Sequence, residues 1–224
     1  MPYLMTKGYH IMQTILTGKT LVALGDSLFH GNKLGNEATW INKLGKKHGM
    51  TVYNHGVNGN TVAKQNAETA VPPMCERYAT MEDGADYVVV LGGANDKRLD
   101  VPIGKDDDTD PHTFKGALNI LILGLTEKYP KARILFMTNY NRWPSLNKLG
   151  ISDIAYVKAM EDVCHKYSIP CFNNYYNSGI SFHNPAQKVW VDEGLVLGIG
   201  ENRHFSDEAY DFLLTKYEAL LMAL

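Results

Sequence analysis

The run Tyr87-Val88-Val89-Val90-Leu91 constrains the fold more than any other stretch of the chain. Five consecutive apolar residues, three of them β-branched, favour a strand. No polar residue alternates with them, so neither face of that strand suits water. A strand covered on both faces belongs to a parallel sheet with helices above and below. The run then breaks at Gly92-Gly93-Ala94-Asn95-Asp96, a turn with polar side chains at the strand's carboxyl end.

Four shorter runs repeat this arrangement. Strands are expected at 20–24, 51–54, 85–91, 133–138 and 169–172. Helical stretches alternate with them. The first covers 37–48, with Trp40, Ile41 and Leu44 inward and Gly49 as its stop. The second begins at Pro72-Pro73 and reaches Tyr78 or Met81. The third starts at Asp110-Pro111, an acid followed by proline at the first helical position. It runs to about Tyr129 with Phe114, Leu118, Leu121, Ile122 and Leu125 inward. Ser152 caps a fourth, to about Tyr167. Ser206 caps the last, with Ala209, Phe212, Leu213, Tyr217, Leu220 and Leu221 inward. Strand–helix alternation implies one α/β domain, a three-layer α/β/α sandwich with a mostly parallel sheet of about five strands. The domain spans 20–224, and residues 1–19 form an N-terminal extension.

The 224 residues suffice for one sizeable core. A net charge of -2 offers no broad attraction to nucleic acid or an anionic membrane. No apolar run is long enough to insert across a bilayer. Residues 1–19 lack an apolar stretch followed by a small-residue cleavage site, so no signal peptide is visible. A cytoplasmic location and secretion after processing both stay open, as does the oligomeric state. The three cysteines, Cys75, Cys164 and Cys171, match no zinc spacing, and an odd count argues against a disulfide framework. Buried or half-buried thiols are expected, with Cys164 and Cys171 able to meet.

The first strand ends in Gly25-Asp26-Ser27-Leu28. Taken alone, Asp26 and Ser27 fit a turn at least as well as a nucleophilic site, since both bond readily to nearby backbone. Three strand ends together say more: Gly25-Asp26-Ser27, the glycine-asparagine turn at 56–61, and Gly93 to Asp96. In a parallel sheet these lie side by side, at the edge where ligands bind. A serine nucleophile needs a base to accept its proton, and His204 before the last helix is of that type. It also needs donors for the developing oxyanion. A glycine N–H and an asparagine amide are suitable donors.

Four blocks, Gly25-Asp26-Ser27-Leu28, Asn54-x-Gly56-Val57-Asn58-Gly59-x-Thr61, Gly93-Ala94-Asn95-Asp96 and His204, resemble the GDSL, or SGNH, hydrolase family in order and spacing. The resemblance covers about residues 19–224. It implies a flavodoxin-like sandwich and ester hydrolysis with no cofactor and no metal. It implies Ser27 as nucleophile, and oxyanion donors from the Ser27 and Gly59 N–H groups and the Asn95 amide. His204 becomes the general base and then the acid. Phe29 stands where the G-x-S-x-G elbow of α/β-hydrolases needs glycine. The chain departs from the family at Glu201, where aspartate is usual three residues before the histidine. Glu201 is the expected orienting acid. Asp192, or a backbone carbonyl with no acid, is the alternative.

The expected activity is that of a serine esterase working through an acyl-enzyme on a small-molecule or carbohydrate ester. An O-acetyl group on a carbohydrate is the first choice. A lipase or lysophospholipase, a thioesterase or acyltransferase, and a non-catalytic carbohydrate-binding module are the alternatives. His183 is the rival base. His30 and His55 lie beside the site turns. Trp143 and Trp190 are loop residues able to overhang the site or to pack in the core. Residues 106–110 have the acid count of a calcium loop, but Pro111 sits where glycine is needed, which favours a solvated acidic loop. Asp26 and Asp96 are expected to brace their own turns through backbone bonds.

Overall fold

The computed structural model describes residues 13–65, 71–142, 145–182, 184–191 and 204–224. Five strands, β1 (Thr20–Gly25), β2 (Thr51–Gly56), β3 (Tyr87–Leu91), β4 (Arg133–Met137) and β5 (Cys171–Phe172), pair in the order β2-β1-β3-β4-β5. Every pairing is parallel. Gly25 is in register with Gly56 on one side and Leu91 on the other, so three strand ends align. Strand order reverses across β1 and β3, the switch point where open α/β sheets bind ligands.

Strand period 2 splits the core into two layers. Val22, Leu24, Val88, Val90, Ile134 and Phe136 face one side, under α3 (Met74–Arg77), α5 (Phe114–Lys128) and α6 (Asp153–Lys166). Leu21, Ala23, Tyr87, Val89, Leu91, Leu135 and Met137 face the other, under α2 (Trp40–His48) and the C-terminal helix, Asp207–Ala223. Each fully buried valine or leucine contributes roughly 1.5–3 kcal/mol, so the uninterrupted β3 run is a central source of stability. Three further short helices, α1 (Ser27–His30), α4 (Ala94–Arg98) and α7 (Asn174–Asn177), stand at strand ends, which makes the C-terminal helix α8.

Several element limits differ from expectation, each for a local reason. The first long helix, α2, begins at Trp40. Thr39 is its N-cap, and residues 36–38 form a separate 3-10 turn. α5 begins at Phe114 rather than at Asp110-Pro111. Thr113 Oγ1 accepts from Gly116 N at 3.2 Å and caps it. The Pro111 carbonyl instead accepts from Lys64 N at 2.8 Å, which draws the preceding residues away from the helix axis. Ser152 holds the N-cap position of α6 but its side chain makes no capping bond. β5 is only two residues long, because Pro170 has no N–H and contributes only its carbonyl, to Phe136 N. On α8, Tyr210 and Glu218 are buried, whereas Phe212 is exposed at its outer edge. Cys75 and Cys164 are buried, Cys171 is half-buried, and all three are free thiols. Leu16 is fully buried against α2, and Thr14 Oγ1 lies 3.0 Å from His48 Nδ1, so residues 14–18 pack on the body.

Candidate active site

β1 ends in Gly25 because nothing larger fits. A Cβ there would stand 2.5 Å from the Phe29 ring. Asp26 then caps α1, its Oδ1 accepting from Leu28 N at 2.9 Å. Ser27 becomes the first helical residue, whose N–H has no intrahelical acceptor. Gly31, at φ 77, closes the single turn and donates to the Ser27 carbonyl. Gly56 carries this turn directly on the end of β2, where a Cβ would meet His30 N at 2.2 Å. Asn54 Nδ2 donates to the Phe29 carbonyl at 2.8 Å and locks the contact.

The turn after β2 is built on Asn60 N donating to the Val57 carbonyl at 3.2 Å, with Gly59 at φ 74. That left-handed conformation favours glycine. Arg77 holds the turn from behind, donating to Asn60 Oδ1 at 2.9 Å and to the His55 carbonyl. Beside it, Gly93 at φ 102 turns the chain from β3 into α4. Asn95 Nδ2 donates to the Asn60 carbonyl at 3.0 Å and lies 3.4 Å from Asp26 Oδ2. Its amide therefore sits between the serine turn and the Gly59 turn. Asp96 is wholly buried and braces the neighbouring loop rather than its own turn, accepting from Val62 N at 3.0 Å and Ala63 N at 2.9 Å.

His204 completes the group, its Nε2 2.9 Å from Ser27 Oγ. The following residues fix its position. Phe205 is buried edge-on against Tyr140, and Ser206 Oγ caps α8 by accepting from Ala209 N at 3.2 Å. Tyr210, on the first turn of α8, donates its hydroxyl to the Leu28 carbonyl at 2.8 Å. The helices behind serine and histidine are thus joined by one buried bond.

Burial raises the Asp26 carboxyl above its usual range, against Arg142, the Leu28 N–H and His204, which pull it back. Burial likewise pushes Asp96 up to about 6, although the two loop N–H groups oppose it. A charge in so dry a place is costly unless it is hydrogen-bonded. Both carboxylates are held by backbone donors.

Of the other expected participants, Glu201, Asp192, His183 and Trp143 lie outside the described residues. His55 pairs with Glu82 at 2.6 Å. His30 Nδ1 lies 3.2 Å from the Gly56 carbonyl. Trp190 stacks on Phe212 at 5.0 Å rather than standing free. The acidic loop is engaged in its own bonds: Asp106 pairs with Lys115, and Asp108 accepts from Thr113 and from Asp110 N. Among the described residues no group of three or more His, Cys, Asp or Glu side chains is arranged to hold a metal ion. No described helix is long and apolar enough to cross a membrane. A cavity lined by Tyr129, Arg133, Ile134, Ile169 and Leu224 opens at the opposite, amino-terminal end of the strands and has no part in this group.

Sequence reasoning missed Arg77, Tyr210 and Arg98. Arg98 had a readable signal, since it stands three residues after Asn95, one helical turn away. Its Nε donates to Asn95 Oδ1 at 3.2 Å.

A model of the GDSL-like lipase/acylhydrolase family matches residues 23–212. The chain belongs to that family. It is a hydrolase of the GDSL, or SGNH, esterase type built on an α/β fold, with esterase/lipase acylhydrolase activity. A solved structure 32% identical in sequence covers 93% of this chain and 98% of its own, with a TM-score of 0.83. A protein from Lactobacillus plantarum is 25% identical over 92% of this chain and 98% of its own, with a TM-score of 0.80. The psychrotrophic esterase EstA from Pseudoalteromonas sp., in a form inhibited by monoethylphosphonate, shares the fold at 15% identity, covering 90% and 96%, with a TM-score of 0.63. Among curated proteins none matches the chain.

Proposed function

We propose that this GDSL-family hydrolase cleaves small carboxylic esters through an acyl-enzyme on Ser27, and that an O-acetyl group on a carbohydrate is its first substrate class. The observation that carries the reading is the 2.9 Å approach of His204 Nε2 to Ser27 Oγ at a strand switch point. That distance suits proton transfer from the hydroxyl to the imidazole.

In the first half-reaction His204 Nε2 takes the Ser27 proton while Oγ bonds the ester carbonyl carbon. The carbonyl oxygen gains the electron pair. The Ser27 and Gly59 N–H groups and Asn95 Nδ2 receive that charge. Collapse breaks the bond to the alcohol oxygen, which takes the proton from His204. In the second half, water gives a proton to His204 and attacks the acyl carbon. Ser27 Oγ leaves, regains the proton, and the acid departs. Glu201 orients the imidazole through Nδ1 in this reading, with Asp192 or a backbone carbonyl as substitutes.

The polar side chains beside the serine, Asn95 and Arg98 among them, support a compact polar substrate over a long acyl chain. A second reading, a lipase, is favoured by Leu99, Leu146 and Leu149, which are exposed on the surface beyond α4. Turnover of p-nitrophenyl esters from acetate to palmitate separates the two, with the rate expected to fall steeply beyond short chains. The esterase reading itself is tested by Ser27→Ala on p-nitrophenyl acetate. Equal rates for variant and wild type sink it.

A further inference from the structure

Among the described residues, Arg98 is anchored at one end and unengaged at the other. Nε is spent on Asn95 Oδ1. A Cβ built on Gly59 would lie 3.8 Å from Arg98 Nη2, so the outer edge of the guanidinium stands over the Gly59 turn. It therefore bonds Asn95 directly and stands beside Gly59, the two groups proposed to face the scissile carbonyl with Ser27. The residue is exposed. Other cations nearby have carboxylates: Lys97 has Asp153, and Lys64 has Glu76. Arg98 has none within 4.0 Å among the described residues.

The two buried carboxylates of this corner do not compensate it. Asp26 and Asp96 are buried behind Asn95 and engaged with backbone N–H groups. A guanidinium fixed through Nε leaves its Nη pair oriented as a fork, the arrangement that takes a carboxylate by two parallel bonds. Anchoring also reduces the rotamer entropy that weakens most exposed ion pairs.

We infer that Arg98 is a specificity-determining residue that binds an anionic group, such as a carboxylate, carried by the substrate close to its scissile ester. The inference rests on the proposed esterase reading and narrows its substrate class. The anion meets the Nη edge while the carbonyl oxygen lies against Gly59 and Asn95, so one side chain links recognition to the reacting centre.

The test uses the full chain and three esters: neutral phenyl acetate, 3-acetoxybenzoate with its carboxylate on the alcohol side, and phenyl hydrogen succinate with its carboxylate on the acyl side. The readout is the ratio of kcat/KM for each anionic ester to that for phenyl acetate. Any general loss from a loosened Asn95 cancels in that ratio. Wild type is expected to favour one anionic ester, and Arg98→Gln to lower that ratio about tenfold, the scale of one charge-assisted hydrogen bond. Arg98→Lys restores part of it, and added salt shrinks the wild-type ratio but not the Gln variant's. A ratio unchanged in Arg98→Gln, with all three esters slowed alike, overturns the inference and leaves Arg98 a support for Asn95 alone. Ser27→Ala with wild-type turnover of phenyl acetate overturns the esterase reading instead, and this inference with it.

Discussion

The position of Ser27 depends on three residues that have no direct part in the proposed chemistry. Gly25 and Gly56 let α1 sit on the strand ends, and Asp26 caps it. Gly56→Ala would drive a methyl into the His30 backbone, which cannot yield as a flexible side chain can. This variant should lose several kcal/mol, as overpacked sites do, and urea unfolding measures it. Gly59→Ala is a different case. The added methyl meets only the Arg98 tip at 3.8 Å, but φ 74 disfavours any side chain. We expect a fold destabilised by only about 1 kcal/mol. Asn95→Ala should cost about 10²–10³-fold in kcat, the usual loss for one oxyanion donor, with KM little altered. A loss confined to KM would remove Asn95 from that role. That Ser27 and His204 meet was legible from the order of the four blocks together, although neither residue was telling alone. Arg77 and Tyr210 were not, since each acts on backbone carbonyls of distant segments, His55 and Leu28, and such pairings leave no periodic trace.

Among the elements, helix interiors were easier to read than helix starts. The inward faces of α2 and α5 follow directly from the spacing of Trp40, Ile41 and Leu44, and of Phe114, Leu118, Leu121, Ile122 and Leu125. Asp110-Pro111 has all the local marks of a start, yet Thr113 is the cap, because Lys64 claims the Pro111 carbonyl. A tertiary bond overrode a local preference. α4 shows the same dependence on distant partners. Asp96 gives up its hydration to hold Val62 and Ala63 N–H, and so fixes the loop after the Gly59 turn against α4. Burial pushes its carboxyl up to about 6 in the folded chain, from an ordinary 3.8. Between those values the folded chain keeps a proton that the unfolded chain has released, so the contribution of Asp96 to stability falls as pH rises through that window. The span corresponds to on the order of 3 kcal/mol. Asp96→Asn has no such titration. Urea unfolding of both proteins between pH 4 and 7 should show wild type losing ground to the variant as pH rises. A difference constant across that range would refute the assignment.

At the scale of the whole molecule, the alternation of strands and helices was enough for a three-layer sandwich, while the strand order was legible only through the family resemblance. Pattern alone does not say that β1 lies between β2 and β3. What closes the layer under α2 and α8 was not legible at all. His48, fully buried at the end of α2, meets Glu218 of α8 at 2.7 Å, and Lys47 meets the other carboxylate oxygen at 2.6 Å. Burial pushes the Glu218 carboxyl up, but hydrogen bonds from Lys47 and His48 outweigh it and hold the carboxyl below its usual value. A depressed carboxyl stabilises the fold above the unfolded pKa near 4.5, and that contribution is lost as pH falls below it. Glu218→Ala leaves His48 buried without this partner, a change that costs about 3 kcal/mol in comparable pairs. For a chain of this size that corresponds to a fall of roughly 6–12 °C in Tm. The pair sits near the C-terminal end of α8, whereas Ser206 and Tyr210 hold His204 from its first turns. At 25 °C and pH 7, kcat for p-nitrophenyl acetate should therefore match wild type while thermal unfolding moves down. Glu218→Gln, which keeps a hydrogen-bonding side chain, should fall between the two. A Glu218→Ala protein that melts with wild type would mean that the two helices are held by Trp40, Tyr217 and their apolar neighbours alone.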